Sequence, residues 1–96
     1  MSLDRDAFYI DGGWAAPAGS DVLQVISPHS EQVVATVPEG SIADIDAAVA
    51  AARRAFDEGP WPRMSPAERI AVIEAFSGLY AGKLAEMADL ITTEMG

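Results

Sequence analysis

With 96 residues, half of them apolar and 22% charged, the chain is one domain at most. A formal net charge of −9 disfavours nucleic acid and anionic membrane as partners, because phosphates attract basic patches. With no cysteine, disulfides, thiolate metal sites and a thiol nucleophile are excluded within these residues.

The opening MSLDRDAF has neither a basic start nor an apolar run, so no secretory leader is read there. No stretch approaches the roughly 20 apolar residues of a membrane span. The cytoplasm is the expected compartment. Residues 1–6 alternate charged and small side chains and are expected to fray.

Residues 7–38 read as strands. Phe8, Tyr9 and Ile10 are strand formers, and Asp11-Gly12-Gly13 is a turn from which Trp14 starts back. Pro17 and Gly19 mark an irregular loop. Val22–Ile26 is apolar on both alternating faces, and Glu31–Val37 returns from the Ser27-Pro28-His29-Ser30 turn. The expectation is a small antiparallel meander of three short strands, a unit that is marginal unless helices pack on it.

Helix signals begin at Ser41, an N-cap serine three residues ahead of Asp44. Ile42, Ile45, Val49, Ala52 and Phe56 recur at three- and four-residue steps and form one apolar stripe over residues 41–57. Arg53 and Arg54 are placed to complement the negative end of that helix. Gly59, Pro60, Pro62 and Pro66 break the chain over 58–65, where Trp61 and Met64 offer bulk to pin the bend. Ser65, Pro66 and Glu68 then make a second start signal. A helix is expected over Pro66–Ala81, a break near Gly82, and a third helix to Met95, so that 66–96 holds two helices. Alone, this order is an α+β arrangement, and it lacks the alternation of a complete doubly wound domain.

Motifs for chemistry are few. His29 is the sole histidine and sits in a turn without a nucleophile elbow. One histidine and scattered carboxylates lack metal-ligand spacing. Asp57-Glu58 are adjacent at a helix end and both expected in water. Gly12-Gly13 is too short to cradle a phosphate, and the eight glycines form neither G-x-G-x-x-G nor a Walker loop. Gly78-x-x-x-Gly82 reads as close helix packing or a kink. The expected catalytic and cofactor-binding residues within this chain are none.

Four stretches nevertheless stand in a familiar order. Tyr9-Ile10-Asp11-Gly12-Gly13-Trp14, Val25-Ile26-Ser27-Pro28 with Glu31–Pro38, Asp44–Phe56, and Trp61–Arg69 together resemble the N-terminal segment of the NAD(P)+-dependent aldehyde dehydrogenase superfamily. The resemblance covers essentially the whole chain. Ser27 stands where asparagine is commoner in the family, and Ser30-Glu31 where Thr-Gly-Glu is usual.

The resemblance implies an α/β family fold in which this chain is one incomplete part of the cofactor-binding domain. It implies a complete enzyme, several times longer, that oxidises an aldehyde to a carboxylic acid. There a cysteine thiolate attacks the carbonyl, hydride passes to NAD or NADP, and a glutamate-activated water releases the acid. Those groups lie downstream in the family, so the 96 residues alone are expected to be inactive and to bind no cofactor. The implied partners are the aldehyde substrate, the rest of the enzyme chain and further copies in a homo-oligomer. One site is implied here: the main-chain oxygen of Ile26 and the carboxylate of Glu94 as ligands of a structural monovalent cation, a hard ion that prefers oxygen. The alternative is a stand-alone interaction module that kept this segment and lost the rest.

Overall fold

The computed structural model describes Ser2–Gly96. Its first unit is a hairpin of β1 (Phe8–Ile10) and β2 (Gly13–Ala15), antiparallel with Tyr9 opposite Trp14. Ile10 pairs with Gly13, leaving a two-residue turn in which Asp11 (φ 56°) and Gly12 (φ 75°) are both left-handed. That backbone twists with the strands and suits Asp-Gly. Tyr9 and Trp14 meet edge to face, with ring centroids 5.3 Å apart, a favoured aromatic geometry.

The second unit pairs β3 (Val22–Ile26) with β4 (Val33–Pro38), again antiparallel, with a bulge between Val25 and Ile26. In the connecting turn the Ser27 hydroxyl accepts the N–H groups of His29 and Ser30, each at 3.3 Å. The returning strand starts at Val33, later than the expected Glu31, because Glu31 is left-handed (φ 60°) and still belongs to the turn. Strands thus precede helices as expected, but the described residues form four strands in place of the expected three, because Gly13–Ala15 is a strand of its own, and they pair two by two. No ladder joins the two ribbons, since the loop carrying Pro17 and Gly19 leads the chain away.

α1 (Ile42–Glu58) opens on a complete capping box between Ser41 and Asp44. The Asp44 carboxylate also accepts the N–H of Ala18 at 2.9 Å, which ties the preceding loop to the start of the helix. Ala48, Ala51 and Ala55 flank a cleft shared with Tyr9 and Ile10 of β1, and Ala51 is buried. The bulky stripe faces outward: Ile42 is 80% exposed, and Ile45, Val49 and Phe56 are exposed as well. Small residues allow the close approach to β1, so the stripe is left for other surfaces.

The arginines do not cap α1. Arg53 pairs with Asp57 at 2.8 Å, and Arg54 reaches Asp11 in the first hairpin at 2.8 Å. At the bend, Trp61–Arg63 form a single 3₁₀ turn, and the Arg63 guanidinium donates to the carbonyls of Asp57 and Gly59. Trp61 stays exposed, so hydrogen bonding from Arg63 secures the bend. α2 (Pro66–Ala81) starts with a second complete capping box, Ser65 with Glu68, and has proline in its first position. α2 is capped at Gly82, whose backbone is still right-handed helical, and Lys83 leaves helical geometry before α3 (Leu84–Met95).

The chain is open in shape. Its radius of gyration is 17.0 Å, against about 12 Å for a compact domain of this length. Among the described residues the buried apolar side chains are the small ones of Ala35, Pro38 and Ala51.

Candidate functional site

The sequence candidates for chemistry stay apart. His29 is exposed in the β3–β4 turn, its N–H given to Ser27. Asp57 is engaged by Arg53, and Glu58 is exposed beside it. Gly78 and Gly82 meet no second helix. Among the described residues no three His, Cys, Asp or Glu side chains gather in a metal-binding group.

Two clefts border the second ribbon. One of about 490 Å³ lies between residues 4–6, the loop 17–21 and the ends of β3 and β4, with Asp4, Asp6, Asp21 and Arg5 on its walls. The other, about 210 Å³, brings Glu94 and Leu90 of α3 against Val25, Val34, Ala35 and Val37. Arg5 stands in this cleft too. Ile26 follows Val25 directly but is not in the wall. Its main chain projects from the outer edge of β3, since Val25 and Ser27 on either side bond inward. The end of α3 touches the same turn, with a side-chain position at Gly96 lying 3.1 Å from Pro28. The structure therefore sets Glu94 in one cleft with the residue preceding Ile26, and Arg5 lines the same cleft.

The dominant feature is uncovered apolar surface. α2 carries Ile70, Val72, Ile73, Phe76, Leu79 and Tyr80, all exposed, with Phe76 at 64% and Leu79 at 77%. At 100° per residue these six occupy about half the helix circumference. Ala67, Ala71, Ala75 and Gly78 line the opposite side between Glu74 and Glu68, so the helix has no broad charged face. The chain exposes 7482 Å², whereas a compact monomer of this size exposes about 5,300 Å². The excess of about 2,200 Å² matches one side of an obligate interface, which totals about 2,000–5,000 Å² over both partners.

A short strand pair, a second strand pair, and capped helices with unmatched faces define a segment of a larger α/β fold. The model of the aldehyde dehydrogenase family matches residues 14–96. The chain belongs to that family. It is 42% identical to a 3-succinoylsemialdehyde-pyridine dehydrogenase of Pseudomonas, over 97% of this chain and 19% of that protein. It is 41% identical to the mitochondrial aldehyde dehydrogenase family 2 member B4 of Arabidopsis thaliana, over 100% of this chain and 18% of that one. Among solved structures, a Mycobacterium tuberculosis aldehyde dehydrogenase complexed with NAD+ superposes with a TM-score of 0.90 at 42% identity. It covers 97% of this chain and 19% of that one. The chain spans about a fifth of the length of the relatives it matches, and its strands and helices are the N-terminal part of their fold.

Proposed function

We propose that this chain is the N-terminal scaffold of an NAD(P)+-dependent aldehyde dehydrogenase that converts an aldehyde to a carboxylic acid. The observation that carries this is the uncovered apolar surface of α1 and α2, on a chain matched over nearly its whole length by proteins about five times longer. In the complete protein the remaining polypeptide covers those faces as part of the cofactor-binding domain. The reacting cysteine, the general base and the dinucleotide contacts come from that remainder, and the complete protein acts in the cytoplasm as a homo-oligomer. The 96 residues supply support and no catalytic residue.

The Ile26 carbonyl and the Glu94 carboxylate are two oxygen donors toward a monovalent cation in that assembly. Glu94 and Val25 line the same cleft, which supports the pairing, and further oxygens from outside this segment complete the set.

The test is aldehyde-dependent formation of reduced cofactor. The complete protein is expected to produce it from at least one member of an aldehyde panel, and the purified 96-residue chain from none. An inactive complete protein across the panel overturns the enzyme assignment, and turnover by the short chain overturns the scaffold role. For the cation, the thermal midpoint of the complete protein is compared in sodium and in a bulky organic cation. Equal midpoints remove that site.

A further inference from the structure

The two edges of the second ribbon are treated differently. Thr36 stands opposite Gln24, and its main chain turns away from β3 toward the segment before β1. Its N–H donates to the Asp4 carboxylate at 2.7 Å, and its carbonyl accepts the Arg5 N–H at 2.9 Å. Its hydroxyl lies 3.3 Å from the same carboxylate oxygen. Asp4 is steadied in turn by the Ser2 hydroxyl at 3.1 Å. Two residues on, Pro38 faces the same side and has no N–H to offer. At the other end the bulge interrupts the ladder between Val25 and Ile26. The outer edge of β4 is thus closed along its length by a bulge, a strapped residue and a proline. β3, with the sequence Val22-Leu23-Gln24-Val25-Ile26, carries no charge and no proline.

We propose that Ser2–Asp6 is an edge strap, fastened by the Asp4 carboxylate to Thr36, that keeps β4 from pairing with the same strand of a second copy. An unguarded strand edge presents a row of main-chain groups to any other chain, and proteins blunt such edges with charge, proline and bulges. Here the charge arrives from 32 residues away and does more than repel: it occupies the very N–H that an incoming strand would use. The Asp4 carboxyl is held below its usual range, first by the Thr36 N–H and next by the Ser2 hydroxyl, as a fastened carboxylate should be.

The test uses the full-length protein and its Asp4→Ala variant, with residue-resolved amide hydrogen exchange and sedimentation. Exchange at Thr36 and Arg5 is expected to rise about tenfold or more, while Leu23, Val25, Ala35 and Val37 in the ladder keep their protection. The variant is also expected to sediment as species larger than the wild-type assembly. Adding Thr36→Pro, which removes the exposed donor at an edge position that tolerates proline, is expected to abolish that growth. Three results overturn the strap: unchanged exchange at Thr36, equal loosening of the whole ladder, or an unchanged assembly in Asp4→Ala.

Discussion

Asp44 shows how one side chain can hold two parts of a fold. It caps α1 through Ser41 and takes the N–H of Ala18, so helix and loop share an anchor. The Ser41 N–H, then the Ala18 N–H, then the Ser41 hydroxyl hold its carboxyl below the ordinary value of 3.8, and burial acts the other way. A depressed pKa in the folded state means the ionised form is the one the fold prefers. The stabilisation is therefore full above 3.8 and is lost as pH falls from there through the lower folded value. The thermal midpoint of the complete protein should drop more steeply below pH ~4 in the wild type than in Asp44→Asn, which does not titrate. Parallel acid profiles would remove Asp44 as a source of that dependence. Gly59 is a second single-residue constraint, set by space and not by a special φ. A Cβ there would lie 2.3 Å from the Ala55 carbonyl oxygen, so Gly59→Ala must push the end of α1 aside. A loss of about 1–3 kcal/mol in denaturant unfolding of the complete protein is expected.

At the scale of elements, caps matter most where packing is absent. α2 meets no other element closely, so its capping box contributes a larger share of its stability than it would in a packed helix. A peptide covering residues 60–83 should lose helical circular dichroism on Ser65→Ala, by about 1 kcal/mol; an unchanged spectrum would show that the box is idle. Helix positions were legible in the sequence because Ser41, Ser65, Pro66 and Gly82 are local signals that need no tertiary context. Strand pairing was less so. That the strands pair two by two, and that Glu31 stays in the turn, depends on backbone angles that residue type only biases. The face of α1 that meets β1 was hidden for another reason. Periodicity locates an apolar stripe but does not say whether this chain or another polypeptide covers it, and here the alanine side took the contact. Asp4 was illegible altogether, because its partner lies 32 residues away and no motif joins them. Of the candidate ligands, Glu94 and Ile26 entered by resemblance, and the residues around them gave no signal of their own.

At the scale of the molecule, the decisive quantity is the apolar area left in water. A free-standing domain of this length would hide large side chains, and here Phe76, Leu79 and Ile42 are mostly exposed while two alanines are buried. If α2 is enclosed by the rest of an aldehyde dehydrogenase, one substitution must behave oppositely in two settings. Phe76→Asp would then lose the burial of the ring and enclose a carboxylate in apolar surroundings, which costs ~3 kcal/mol or more. The complete protein should then lose most of its soluble yield or show a much lower denaturation midpoint. In the 96-residue chain the same position faces water, so the substitution should leave helical content intact and reduce self-association. Opposite responses identify α2 as an enclosed helix of a larger fold. A complete protein that tolerates Phe76→Asp with an unchanged midpoint would mean that α2 faces solvent there too, and the scaffold role would have no physical basis.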